Sequence, residues 1–145
     1  MFNKLQSMKH YYLLRHYSLP VIINIIAIYF WYSGNLHDSA GTAIFSLVFN
    51  AFFAPIYLAV CNSNIDGISL SRKAGYSFLS ISACALIHYI SWGIATGNVL
   101  SPDFKTEAIM HGEFLVACAI ISIGLIAQAV SKSRRKREED NNREM

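Results

Sequence analysis

Four long apolar blocks, separated by short polar segments, dominate the hydrophobic pattern of this chain; they span about residues 17–33, 40–61, 74–96 and 108–130. A helix needs about 20 residues to cross about 30 Å of hydrocarbon, and each block approaches or exceeds that length. A transmembrane barrel would instead show alternating polarity in segments of about 10 residues. The uniformly apolar blocks therefore predict an all-α membrane protein, a four-helix transmembrane bundle with short loops.

Turn-forming residues occupy the breaks between these blocks. Gly34 lies after the first block, Asn62 and Gly67 lie after the second, and Pro102 lies before the fourth. Gly, Pro and Asn are residues that tight turns select. We therefore expect Asn62 to lie in the loop that ends the second helix.

The composition argues against two broad classes of protein. Of the 145 residues, 54% are hydrophobic and only 14% are charged. A soluble domain carries about 25% charged residues, so this composition argues against an ordinary soluble enzyme. A chain this apolar is also unlike disordered proteins, which are polar and highly charged. The net charge of +3 comes from basic residues beside apolar blocks, which favours contact with lipid headgroups over nucleic acid.

The distribution of the basic residues predicts the orientation in the membrane. Cytoplasmic loops of membrane proteins carry an excess of Lys and Arg. If both termini lie in the cytoplasm, every one of the 12 Lys and Arg residues except Lys105 falls on the cytoplasmic side. We therefore expect a multi-pass protein of the bacterial inner membrane, with both termini cytoplasmic.

Two terminal segments lie outside the predicted spans. In residues 1–16, apolar side chains recur at helical spacing opposite polar and basic ones. This pattern predicts either a cationic helix on the inner leaflet or a frayed terminus. Residues 131–145 hold a basic run followed by acidic residues, which predicts either a grip on anionic lipid or a stop-transfer anchor followed by disorder. The side chains expected to contact lipid headgroups are Lys132, Arg134, Arg135, Lys136 and Arg137.

The first block has a second interpretation, because basic residues before a short apolar run are typical of a signal peptide. No clean cleavage site of small residues follows this run, which ends in four aromatic residues from Tyr29 to Tyr32. Aromatic residues of this kind form belts at the membrane–water interface. The pattern therefore favours an uncleaved span.

Small and polar residues recur at spacings of three and four along three of the spans. Such stripes mark helix–helix contacts in membranes, where close packing and interhelical hydrogen bonds replace the hydrophobic effect. We expect Ala117 and Gly124 to lie inside the bundle, and Ile123 and Leu125 to face lipid. The stripes are Ala43, Ser46, Asn50, Ala54, Tyr57 and Cys61; Ser77, Ser80, Cys84, His88, Ser91 and Ala95; and Glu113, Ala117, Ile120, Gly124 and Gln128.

Polar residues within these stripes are the candidate site. Ionisable side chains inside spans are costly and point to function. Because His88 and Glu113 lie on the stripes of neighbouring spans, we expect them to face each other, with Asn50 nearby. The alternatives are an interior histidine with a structural partner and a glutamate that reaches the outer headgroups. Asn24 and Gln128 are expected to make interhelical polar contacts, and a contact of this kind is also the alternative interpretation of Asn50.

Cofactor chemistry finds little support in the sequence. The three cysteines are odd in number and form no C-x-x-C pair, so neither a disulfide framework nor a metal site is expected. Haem in a four-helix bundle needs paired histidines at matching depth, whereas His88 and His111 differ by about 9 Å along the bundle. No catalytic motif is present. We expect no cofactor and no enzymatic activity.

A chain with short loops and no catalytic motif is suited to contact lipid or another membrane protein. We therefore expect a small non-enzymatic multi-pass inner-membrane protein that binds a partner within the bilayer, of the immunity, exclusion or accessory-subunit type. Its partner would be another membrane protein or a second copy of itself. The alternative function is a small oligomeric transporter or channel that uses His88 and Glu113.

Overall fold

The computed structural model of this chain describes the backbone of residues 2–32, 47–65, 67–96 and 104–143, and the side chains of residues 13–30, 47–65, 67–93 and 107–143. Within these segments all regular structure is helical. The main helices are α1 (Phe2–Tyr32), α2 (Ala54–Asn64), α3 (Leu70–Thr96) and α4 (Phe104–Arg143).

Three helices are long and apolar enough to cross a membrane. The apolar windows that qualify lie within Leu13–Phe30 of α1, Leu70–Gly93 of α3 and Glu107–Arg143 of α4. Large apolar side chains such as Leu79, Leu115 and Ile123 are exposed on these helices. A continuous apolar surface of this kind is costly in water and suits a lipid environment.

A short π-helical turn over Phe49–Phe53 leads directly into α2. Pro55 follows this turn and is fully buried. A proline ring inside a helix crowds the carbonyl four residues earlier, here that of Ala51, and removes one backbone donor. The wider π turn accommodates this crowding, and it holds Asn50 and Ala51 inside the protein.

Both terminal segments continue the neighbouring spans as helix. Helix α1 runs from Phe2 through Pro20 to Tyr32, so residues 2–16 belong to the same helix as the first apolar block. Helix α4 continues to Arg143, where one sequence interpretation expected disorder. Its tail is rich in Lys, Arg and Glu, which are strong helix formers and extend a helix that has already been nucleated.

The helices pack around a small apolar core. Helix α3 lies against both α1 and α4, and α4 also lies against α2. The stripe predicted for the third span is buried at every position whose side chain the structure describes. The core cluster consists of Tyr17, Ala54, Leu58, Ile81, Ala117, Ile121 and Leu125.

One face of α4 differs from the sequence prediction. Leu125, expected to face lipid, is only 8% exposed and belongs to the core. Ile121 is fully buried, whereas Ile120 is only partly buried. Because α4 packs against two neighbouring helices, its buried face is wider than the single stripe that the small residues marked.

Gly124 lies at a close approach of α4 to α2. A Cβ atom added at Gly124 would stand 2.9 Å from the Cβ of Ala59, closer than real Cβ atoms approach. A Cβ atom at Gly112, on the same helix, would have no atom within 4 Å. Two glycines of one helix therefore differ in the space around them.

We expect Gly124→Ala to lower the melting temperature of the protein in detergent, because the added methyl forces α2 and α4 apart. Overpacking of this kind costs about 1–3 kcal/mol. Gly112→Ala makes the same change in helix propensity without the clash, and it should leave the melting temperature unchanged or raise it. Equal melting temperatures for the two variants would contradict the close packing of α2 against α4.

Candidate functional site

The centre of the candidate site is a buried pair of side chains, His88 on α3 and Glu113 on α4. The Nδ1 atom of His88 lies 2.9 Å from one carboxylate oxygen of Glu113 and 3.3 Å from the other. The two side chains are 6% and 4% exposed. The ring therefore donates its Nδ1–H to the carboxylate, and the two residues singled out by the sequence lie in contact.

The second nitrogen of His88 has no such partner. Its Nε2 atom is buried and makes no hydrogen bond within the part of the chain that the structure describes. The ring lies edge-to-face against Trp92, with 6.4 Å between the ring centres. A buried polar atom without a partner costs about 1–3 kcal/mol. This nitrogen can accept a proton or a hydrogen bond from a ligand.

A pocket of about 320 Å³ between α3 and α4 borders the pair. Leu86, Met110 and Phe114 give it apolar walls. Glu107 and His111 also line it, but His111 bonds through its Nδ1 to the backbone carbonyl of Glu107 in its own helix. The pocket thus combines an apolar surface with the carboxylate and imidazole of the buried pair, an arrangement suited to a small, largely apolar ligand or to proton transfer.

Asn50 makes an interhelical polar contact with Asn24, as one interpretation of the sequence expected for both residues. Its side-chain oxygen accepts a hydrogen bond of 2.9 Å from the amide of Asn24 on α1, and the same amide donates to the carbonyl of Pro20. Cys84, one turn before His88 on α3, is also buried.

Sequence reasoning missed a second polar cluster, centred on Asn62. This side chain is fully buried near the end of α2, where the sequence had predicted a loop. Its oxygen accepts a 2.5 Å hydrogen bond from the hydroxyl of Tyr17, and its nitrogen donates to Ser77 at 2.8 Å. The Nζ atom of Lys73 donates to the backbone carbonyl of Asn62. Asn62 therefore joins α1, α2 and α3.

The remaining predicted residues lie near this end of the bundle. Gln128 on α4 donates to the carbonyl of Ala59 at 3.4 Å. With its amide reversed it donates instead to the carbonyl of Asn62 at 3.1 Å and accepts from the backbone of Ser63, so either orientation joins α4 to α2. The five basic residues expected to contact headgroups are exposed on α4: Lys132, Arg134, Arg135, Lys136 and Arg137.

The described residues contain no cluster of three or more His, Cys, Asp and Glu side chains that could hold a metal ion. The three cysteines are free thiols. Two helix-joining polar clusters, one around His88 and one around Asn62, are thus the main chemical features of the described region. Comparisons with family models, curated proteins and solved structures find no match to this chain.

Proposed function

We propose that the chain forms a four-span bundle in the bacterial inner membrane, with both termini in the cytoplasm. Three helices have the length and composition for spanning. The predicted second span, 40–61, begins outside the described residues and continues as the π turn and α2, where Phe53 and Val60 are exposed apolar side chains. The charge distribution supports the orientation, since only Lys105 falls outside.

An alkaline phosphatase fusion, which is active only outside the cytoplasm, tests this topology. Fusions after Asn35 and Asn98 should be active, and fusions after Gly67 and Met145 should be inactive, because the basic segments anchor these two positions inside. Green fluorescent protein fused at the same four positions should give the opposite pattern. Phosphatase activity of the Met145 fusion would overturn the orientation.

We propose that the protein is non-enzymatic and acts by binding a transmembrane helix of another membrane protein. A single observation carries this proposal, an apolar groove of about 540 Å³ between α1 and α3. Ser18, Ser80 and Ala83 line the groove between larger side chains such as Leu14 and Leu79. Small residues let a second helix backbone approach closely, and this packing drives helix association in lipid.

Photo-crosslinking in native membranes tests the groove. A photo-reactive amino acid at Leu79, which lines the groove and is 69% exposed, should give one discrete protein adduct. The same probe at Leu115, 67% exposed on α4 and outside the groove, is the matched control and should give lipid adducts only. Filling the groove with Ala83→Phe should remove the adduct from Leu79, because the added ring occupies the space of the partner helix.

The mass of this adduct identifies the partner protein. An adduct of twice the chain mass would assign the groove to a second copy of this protein. Lipid adducts alone from Leu79, or an adduct that survives Ala83→Phe, would contradict the proposal that this groove binds a partner.

The Nε2 atom of His88, which has no hydrogen-bond partner among the described residues, favours a second candidate function, a small transporter or channel. A buried imidazole beside a carboxylate can exchange protons with a ligand in the neighbouring pocket. In this function Glu113 would hold the ring and Nε2 would carry the exchanged proton.

A further inference from the structure

The pocket between α3 and α4 lies at the level of the predicted third and fourth spans. Its α3 wall comes from residues 82–89, and its α4 wall from residues 107–114. Leu86 lines the pocket and is 59% exposed, so the pocket borders lipid when the proposed bundle is in a bilayer. A ligand can therefore enter from the membrane, which favours a lipid-soluble molecule.

His88 is the polar residue of this pocket whose hydrogen bonding is incomplete. Its ring lines the pocket, and its side chain is 6% exposed. Within the described part of the chain its Nε2 atom makes no hydrogen bond. A buried polar atom that lacks a partner raises the free energy of the protein. A ligand that supplies the missing hydrogen bond removes this cost, and the difference appears as binding affinity.

The contact with Glu113 determines which ligand group suits Nε2 of His88. The Nδ1 atom donates its hydrogen to the carboxylate at 2.9 Å. In the neutral ring, Nε2 then carries a lone pair and accepts hydrogen bonds. Serine hydrolases use the same carboxylate–imidazole arrangement, in which Nε2 accepts from a hydroxyl. The pair therefore favours a ligand that donates through an O–H group.

The other lining residues favour an aromatic ligand. Tyr89 on α3 and Phe114 on α4 each bring an aromatic ring to the pocket, and Met110 adds a thioether. Aromatic rings and methionine sulfur both make favourable contacts with the ring of a ligand. The volume of about 320 Å³ is at the lower end for small-molecule pockets. It suits a single substituted ring whose apolar tail stays in the lipid beside Leu86.

We propose that this pocket binds the headgroup of a lipid-soluble quinol, with a ring hydroxyl donating to Nε2 of His88. A quinol combines the three features that the pocket favours, since it has an O–H donor, one aromatic ring and a tail that dissolves in lipid. The proposal rests on the second candidate function, whose ligand class it names. It does not depend on the groove between α1 and α3, because no described residue lines both.

Isothermal titration calorimetry of the full chain in detergent tests this proposal. The probe is decylubiquinol, kept reduced under anaerobic conditions, and titration into empty detergent micelles gives the background. The wild type should bind the probe saturably. His88→Phe keeps a ring of similar size but removes Nε2, so the affinity should fall by about tenfold or more.

A second pair of variants keeps His88 and Glu113 in place. Ala85 lines this pocket, whereas Ala83, two residues earlier on α3, lines the groove between α1 and α3. Both alanines are partly buried. Ala85→Phe fills the pocket and should abolish quinol binding, and Ala83→Phe is the matched control that should bind as the wild type does. Equal melting temperatures confirm that both variants are folded. Equal quinol affinities of the two variants would mean that the quinol binds elsewhere, and would overturn the proposal.

Three other probes test the chemistry of the ligand. Decylubiquinone and the dimethyl ether of decylubiquinol both lack the O–H donor, so each should bind about tenfold more weakly than decylubiquinol or worse. Equal affinity for either analogue would overturn the hydrogen bond to Nε2. Decylamine that binds more tightly than decylubiquinol, and is lost in Ala85→Phe, would assign the pocket to organic cations instead.

These titrations are separate from the tests of the two candidate functions. Quinol binding in a protein that carries no protons would reject the transporter and keep the quinol site. Proton flux without quinol binding would do the reverse. The crosslink from Leu79 reports only on the groove.

Discussion

His88→Ala and Glu113→Ala are each expected to destabilise the protein in detergent by about 1–3 kcal/mol. The two side chains share a 2.9 Å hydrogen bond in a buried position. Removing either one leaves the other polar group without its partner in a poorly hydrated interior. Glu113→Gln is the matched control, because its amide oxygen still accepts the Nδ1–H bond and only the negative charge is lost.

The double variant His88→Ala/Glu113→Ala measures the interaction itself. Residues in direct contact show coupling energies of about 0.5–3 kcal/mol. The double variant should therefore be less destabilised than the two single variants added together. Strictly additive losses of unfolding free energy would mean that the pair contributes no interaction of its own, and would leave His88 and Glu113 with separate structural roles.

The same variants separate the two candidate functions. If the protein acts by binding a helix in the groove, Glu113→Gln should leave the Leu79 crosslink intact and reconstituted vesicles should show no proton flux above empty vesicles. If the pair carries protons, wild-type vesicles should dissipate a pH gradient, and both Glu113→Gln and His88→Ala should abolish this flux. Flux that persists in both variants would exclude the pair from any proton pathway.

The contact between His88 and Glu113 could be predicted from the sequence for a simple physical reason. Both residues lie on stripes of small and polar residues, and a regular helix keeps positions three and four apart on one face. A constant rise of about 1.5 Å per residue also puts the two side chains at comparable depth. Where the helices are regular, periodicity and depth together are enough to predict a contact.

The partner of Asn50 could not be predicted in the same way. Asn50 lies in the π turn before Pro55, and a π turn changes the angular position of every side chain relative to a regular helix. The stripe drawn through Asn50 assumed a constant period of 3.6 residues. The structure places Asn50 in this turn and against Asn24 on α1.

The burial of Asn62 and Lys73 was not predicted, because residues of these types at these positions normally lie in turns or in solvent. Asn-Ser-Asn is a typical turn sequence, and a lysine beside a predicted loop is normally solvated. One signal was present, since Asn62 follows Ala54 and Leu58 at intervals of four residues. Asn62 therefore continues the buried face of α2 beyond the apolar block. At this position helical spacing indicates burial correctly, whereas the residue type indicates a turn.

Asn62→Ala is expected to produce the largest loss of stability among substitutions around the end of α2. The change removes the acceptor of the Tyr17 hydroxyl and the donor to Ser77 together. It also leaves a space in a fully buried position. Two buried hydroxyls lose a partner, so the expected cost is about 2–4 kcal/mol, measured as the free energy of unfolding in detergent.

Asn64→Ala provides the matched control for this prediction. Asn64 belongs to the same last turn of α2 and carries the same amide, but its side chain is exposed. Its substitution should change the unfolding free energy by no more than about 0.5 kcal/mol. Equal effects of the two substitutions would show that Asn62 does not hold α1 and α3 against α2. A loss of unfolding free energy in Asn62→Ala but not in Asn64→Ala would establish that this cluster holds the three helices together. Tyr17→Phe should show a smaller loss of the same kind, because it removes only one hydrogen bond.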